Sequence, residues 1–313
     1  MADRQTRLRL AVLSDIHGNL PALEAVLADA WRAGPPDAII VAGDLTMGGP
    51  YPAEVLDRLR EVNATLIAGN RDRWILQAYH GRPPAGWHEG EHCGVGRWTL
   101  AQLRREQLPW LDSLPEQTVV TLRGAHAIRV VHGSPSHLSG RILPDRCPEA
   151  MARLRLNYGE PARSGEIPAD AALLAVAEPV LVCGHTHVQW QQRLDGRLAL
   201  NPGSVGESLQ GDPRARYALL EWDGRAWQVE LCAVEYDRQP LRRAFHERGL
   251  LAEGGGFARA SLRDMETGRN FSTHFYRHVA RQAQQVGLSD GDVFCDEIWQ
   301  QAAATFDWEN GAP

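Results

Sequence analysis

Residues 8–17 read LRLAVLSDIH, a short apolar run that closes on Ser14, Asp15, Ile16 and His17. A run of this length, rich in Leu, Val and Ala, has the pattern of a buried β-strand. The Asp-x-His group at its end puts two metal-seeking side chains at the strand's C-terminal edge. A helix signal follows at once over residues 20–32, where Leu23, Val26, Leu27 and Ala30 share one face and Pro21 sits in the first turn. The motif then repeats. Apolar runs at residues 38–42, 64–68, 128–132 and 180–183 end in Gly43-Asp44, Gly69-Asn70-Arg71-Asp72, His132-Gly133 and Gly184-His185-Thr186-His187. A second helix is expected over 53–62, with Val55, Leu56 and Leu59 on its apolar face. Alternating strands and helices predict an α/β fold, and the C-terminal strand edge is where such sheets bind ligands.

The side chains gathered there are two carboxylates (Asp15, Asp44), one amide (Asn70) and four imidazoles (His17, His132, His185, His187). Nitrogen and oxygen donors without sulfur suit borderline-hard divalent ions rather than a structural zinc knot. Seven ligands exceed one tetrahedral shell, so two adjacent ions sharing a carboxylate are expected, an arrangement that clamps a phosphoryl group. The remaining composition removes other chemistries. No lysine occurs among the 33 basic residues, which excludes a P-loop lysine, a Schiff base and a Ser-x-x-Lys nucleophile. Five scattered cysteines form no C-x-x-C pair, which suits a reducing compartment. A net charge of −6 argues against long nucleic acid as a partner. No apolar stretch is long enough to span a membrane, and the first residues lack a signal-peptide pattern, so a cytoplasmic location is expected.

The series Asp15-x-His17, Gly43-Asp44, Gly69-Asn70-x-Asp72, His132-Gly133 and Gly184-His185-x-His187 resembles the calcineurin-like metallophosphoesterases. It is most similar to their small bacterial and archaeal phosphodiesterase branch, whose characteristic loop resembles residues 201–206, NPGSVG. The resemblance covers roughly residues 8–236 and implies a two-layer β-sandwich flanked by helices. It implies that Asp15, His17 and His187 hold one metal, that Asn70, His132 and His185 hold the other, and that Asp44 bridges them. Manganese comes first, with iron, zinc and nickel as alternatives. A hydroxide between the ions would attack a small phosphodiester, with Asp44, Asn70, Arg71 and Asp72 as catalytic residues. A phosphomonoesterase or phosphoprotein phosphatase is the alternative activity, and a non-catalytic metal-binding scaffold the alternative class. The sequence departs from the family at Arg71, where many members carry a histidine that assists the leaving group. Arg71, His137 and Arg141 are the candidates for substrate binding.

After His187 the pattern shifts to short strands, with hairpin signals at Asp195-Gly196 and Asp223-Gly224. Residues 78–98, rich in Gly, Pro, His and Trp, read as a long loop, either a lid or a surface insertion. The division expected is a catalytic domain over 1–236 and a helical extension over 237–313, with a break at Gly254–Gly256. In that extension Phe271, Phe275, Val279 and Val286 form one stripe, and Phe294, Ile298, Ala302 and Phe306 another. These stripes are expected to pack on the main domain or on a second copy of the chain, as a homo-oligomer. No metal ligand is expected from them.

Overall fold

A computed structural model describes residues 7–160, 165–288 and 295–311. Its strands, in chain order, are β1 (Leu8–Leu13), β2 (Ala38–Val41), β3 (Thr65–Leu66), β4 (Gln117–Val120), β5 (Ile128–Val131) and β6 (Arg141–Leu143), then β7 (Glu166–Pro168), β8 (Val180–Val182), β9 (Trp190–Leu194), β10 (Arg197–Asn201), β11 (Ala215–Trp222) and β12 (Trp227–Val234). The helices are α1 (Leu20–Ala30), α2 (Pro52–Glu61), α3 (Asn70–Tyr79), α4 (Gly94–Gln102), α5 (Gln107–Ser113), α6 (Pro148–Tyr158), α7 (Ala169–Leu174), α8 (Gln239–Glu247), α9 (Leu250–Thr267), α10 (Phe271–Gln285) and α11 (Asp296–Thr305). No helix among the described residues is long and apolar enough to cross a membrane.

Two five-stranded sheets carry the fold, ordered β12-β11-β1-β2-β3 and β4-β5-β8-β10-β9. Within them β1, β2 and β3 run parallel, as do β5, β8 and β10, and antiparallel strands flank each set. The alternation of β1 explains its continuous apolar run. Leu10 and Val12 meet Val130, Val182 and Leu200 between the sheets, whereas Ala11 and Leu13 face the helices α1 and α2. The outer face of the second sheet packs against α6 and α7. The layering is therefore helix, sheet, sheet, helix, as the resemblance implies. The parallel strands of both sheets carry the site residues at their C-terminal ends. At Asp195 and Gly196 both φ angles are positive, 48° and 80°, as a tight β9–β10 turn requires.

Residues 78–98 differ from the expected long loop. Helix α3 runs to Tyr79 and α4 begins at Gly94, so the irregular part of the expected loop is residues 80–93, largely exposed up to Glu89 and closed by a 3₁₀ turn at Glu91–Cys93. The glycines that read as loop residues are contact residues between helices. A Cβ on Gly94 would lie 2.0 Å from the Glu253 carbonyl oxygen, and one on Gly96 would lie 2.2 Å from the Trp74 ring. Residues 91–98 are the platform on which α9 rests, and residues 80–89 form the exposed connection that leads to it.

The C-terminal helices pack within the chain. Gly255, with φ 48° and ψ −132°, kinks α9 at the expected glycine break. Leu241, Phe245, Leu250, Ala258 and Met265 enter the same core as α1 and α2. Phe275 stacks edge-on against Phe306 at 5.4 Å and Trp299 at 5.5 Å, so the aromatic stripes are consumed inside the chain. Phe294 lies outside the described residues. Among the described residues of α10 and just after it, Tyr276 and Val286 are the exposed large apolar side chains; Val286, expected in the first stripe, lies past the end of α10 and does not join the buried cluster.

Candidate metal centre

Each ligand candidate stands at a turn that leaves a strand. Asp15, His17, Asp44, His185 and His187 all have φ between 51° and 67°, in the left-handed region that costs a non-glycine residue stability. The crowding explains the adjoining glycines. A Cβ on Gly69 would fall 2.0 Å from Asp44 Oδ1, and one on Gly184 would fall 2.0 Å from Ser14 Oγ.

Three imidazoles are oriented by the backbone. Nδ1 of His17 lies 2.8 Å from the Met47 carbonyl, that of His132 2.8 Å from Ala42, and that of His187 2.7 Å from Glu207. A carbonyl only accepts, so each ring carries a proton on Nδ1, and Nε2 is the position from which it can ligate. The Nε2 atoms converge. His17 Nε2 is 3.1 Å from His187 Nε2, which is 3.3 Å from Asp15 Oδ1. Asp44 Oδ2 lies 3.5 Å from His132 Nε2 and 3.9 Å from His17 Nε2. Asn70 Oδ1 is 2.9 Å from His132 Nε2, and the His185 ring lies 5.2 Å from that of His132. Asp15, His17 and His187 thus form one ligand group, and Asp15, Asp44 and His132 a second that overlaps it.

The residues fit metal ions. Asp15 Oδ1 is buried without a hydrogen-bond partner, and two imidazole nitrogens face each other at 3.1 Å. Both features are costly in a bare protein and are satisfied by a cation. Electrostatics agree. Burial would raise the Asp15 carboxyl, but His187 and the other imidazoles hold it down at about 2. Burial is likewise outweighed at Asp44, where His132 keeps the carboxyl ionised. Burial, with Arg71 beside it, pushes His17 down to about 4, and burial with His132 pushes His185 down to about 3. His132, also buried, is nevertheless raised to about 9 by Asp44.

The structure relocates two expected residues. Asp72, expected among the reacting groups, is buried and turned away from the cavity. Its carboxylate accepts from Leu45 N at 3.1 Å, Thr46 Oγ1 at 2.9 Å and Gly69 N at 3.0 Å. It ties the loop carrying Asp44 to the start of α3 and is a positioning residue; burial and Asp44 raise it to about 6. His137 does not line the cavity that holds Asp44, Asn70 and His185. It borders a groove of about 100 Å³ beside His132, where its Nδ1 accepts from Ser139 N at 3.2 Å. Arg71 and Arg141 do line that cavity, together with Asp44, Asn70, His185 and His187.

Glu207 is the residue that sequence reading missed. It follows the NPGSVG loop, is 1% exposed, and its Oε2 lies 3.2 Å from Arg71 Nη2 and 3.8 Å from His17 Nε2. Burial would raise this carboxyl, yet Arg71 holds it low. Glu207 therefore fixes the guanidinium beside Asp44, whose Oδ2 is 4.0 Å from Arg71 Nε. A charge-assisted hydrogen bond is worth about 1.5–3 kcal/mol. Glu207→Gln should therefore lower kcat/KM by ~10–100-fold while metal content stays unchanged. Wild-type kcat/KM in that variant would show that Arg71 needs no such anchor.

Comparison with known proteins places this geometry. Residues 8–225 match the calcineurin-like phosphoesterase superfamily domain. The uncharacterized protein MJ0912 of Methanocaldococcus jannaschii is 28% identical over 245 residues, 73% of this chain and 88% of that protein. Phosphodiesterase YfcE of Escherichia coli is 28% identical over 226 residues, 69% of this chain and 89% of that enzyme. Among solved structures, a metallophosphoesterase from Sphaerobacter thermophilus superposes with a TM-score of 0.61 at 28% identity, covering 83% of this chain and 99% of its own.

Proposed function

Because the chain belongs to the calcineurin-like phosphoesterase superfamily and is a metal-dependent phosphoesterase, we propose that it hydrolyses small phosphodiesters at a two-metal centre. The observation that carries this reading is the position of Asp44 Oδ2, between His17 and His132 and beside Arg71. Asp15, His17 and His187 would hold one ion, Asn70, His132 and His185 the other, with Asp44 shared. Such a pair supplies Lewis acidity to the phosphoryl oxygens and a water of lowered pKa. Manganese fits these donors, as do iron, zinc and nickel.

The protein's own groups favour a diester over a monoester. Of the two arginines that line the cavity, Arg71 is paired with Glu207 and Arg141 with Glu166. Among the protein's own groups, little uncompensated positive charge remains for the extra charge of a monoester, which only the ions would offset. Arg71 offers hydrogen bonds to the phosphoryl oxygens but no transferable proton at neutral pH. A panel of activated diesters and matching monoesters, each with Mn, Zn and Mg and after chelation, tests the proposal. Metal-dependent turnover with diesters ahead is expected; a clear monoester preference would refute it.

The lack of a transferable proton on Arg71 predicts a leaving-group effect. General acid catalysis is worth about 10²–10⁴-fold, so aryl diesters should outpace alkyl ones in the wild type. Arg71→His restores a donor at that position and should narrow the gap, even with weaker binding. Rates independent of leaving-group pKa, with chemistry rate-limiting, would assign the proton to another residue.

A further inference from the structure

The cavity beside the metal centre has a volume of about 270 Å³, and its far wall is built by the C-terminal helices through Asp264, Asn270, Ser272 and Thr273. We propose that this wall, together with Arg141, is a subsite for the alcohol portion of the substrate, and that the alcohol it takes is small and polyhydroxylated, of glycerol or sugar type. This rests on the phosphodiesterase reading above.

The wall is held rigidly against the catalytic loops. Asp264 accepts from the backbone amides of Phe271 and Ser272, which fixes the start of α10. Asn270 caps that helix by accepting from Thr273 N at 3.0 Å, and its Nδ2 donates to the Asn157 carbonyl at 3.2 Å. Asn157 in turn donates to the Leu209 carbonyl at 3.0 Å, two residues beyond Glu207. A site held this way is preorganised, and its groups need little reordering when a ligand enters.

Its chemistry selects against the other common alcohol portions. A nucleoside needs a flat apolar surface on which its base can stack. Among the described lining residues Leu209 is the one aliphatic side chain and Tyr158 the one aromatic ring besides imidazoles. The Arg141 guanidinium already lies over the Tyr158 ring at 5.0 Å. A further phosphate would find no unpaired cation among the described lining side chains, because Arg71 and Arg141 are already held by Glu207 and Glu166, and Asp264, the acidic residue of the far wall, offers no positive charge. Hydroxyl groups meet none of these objections, because they donate to carboxylates and accept from amides and hydroxyls. Glu207 Oε1, buried and without a partner, is an acceptor in waiting. The volume falls below the ~300–1,000 Å³ usual for drug-sized ligands, which suits a small alcohol.

The test compares ethyl glyceryl phosphate with ethyl 2-methoxyethyl phosphate, whose alcohols are of similar acidity, on the manganese-loaded full chain. Two extra hydrogen bonds predict a preference of ~10-fold or more in kcat/KM for the glyceryl diester. Thr273→Val, which keeps shape but loses the hydroxyl, and Asn270→Ser, which keeps a capping oxygen, should reduce that ratio towards one. Circular dichroism and metal content serve as folding controls. Calorimetric dissociation constants for glycerol phosphate and 2-methoxyethyl phosphate should show the same preference and the same loss. Equal rates in the wild type, a ratio untouched by both variants, or a thymidine ethyl diester that outpaces the glyceryl one would each overturn the subsite. If the loaded protein turned over no diester at all, the phosphodiesterase reading would fail, and the calorimetric preference would still decide the subsite.

Discussion

Asp44→Asn is expected to abolish most activity while leaving the fold intact. Asp44 Oδ1 accepts from the Arg71 amide at 2.8 Å, and an asparagine oxygen can keep that bond. The lost charge is the one on Oδ2, between His17 and His132, where a neutral amide cannot offset two dications. Removing a residue that only supports a ligand typically costs about 10–100-fold in affinity or activity. Loss of the shared ligand itself should exceed that. Metal content measured after dialysis should fall, and the thermal midpoint of the metal-free proteins should stay close to wild type. Near-wild-type turnover of Asp44→Asn at saturating manganese would sink the two-metal proposal.

Ending the chain at Tyr236 is expected to prevent folding rather than to release a working catalytic domain. The deleted segment supplies Leu241, Phe245, Leu250, Leu262 and Met265 to the core that α1 and α2 also build. Burying a large apolar side chain is worth about 1.5–3 kcal/mol, so these five represent roughly 8–15 kcal/mol. That is comparable with the whole net stability of a typical domain, about 5–15 kcal/mol. The truncated chain should be insoluble or lack a cooperative unfolding transition. The effect should extend to the site, since α9 and α10 also bring Asp264 and Asn270 to the cavity wall. A soluble 1–236 fragment with full metal content and a sharp transition would show that the boundary at residue 236 separates independent units.

The metal centre was legible in the sequence because its signals are local. A strand of alternating buried faces reads as a short apolar run, and the chain must turn where that run ends. Asp15, His17, Asp44, Asn70, His132, His185 and His187 each sit at or within a few residues of such an end, so strand order alone placed them on one edge. Glycine was the least reliable guide. At Gly43 and Gly69 it marks a turn pressed against the site, but at Gly94 and Gly96 it lies inside a helix, where only the approach of Glu253 and Trp74 demands it. Nothing within residues 78–98 announces those neighbours.

By itself, then, the sequence determined the alternating architecture and named the candidate ligands and the arginine in place of a histidine, all of which are written in runs of a few adjacent residues. The tertiary structure decided what those groups touch. It turned Asp72 away from the cavity to hold two loops together, brought Glu207 onto Arg71 from 136 positions away, and set the start of α10 in one cavity with Asp44, Asn70, His185 and His187. The physical reason is that charge pairing and cavity shape depend on segments far apart in the chain, and a contact between them leaves no periodic trace in either one.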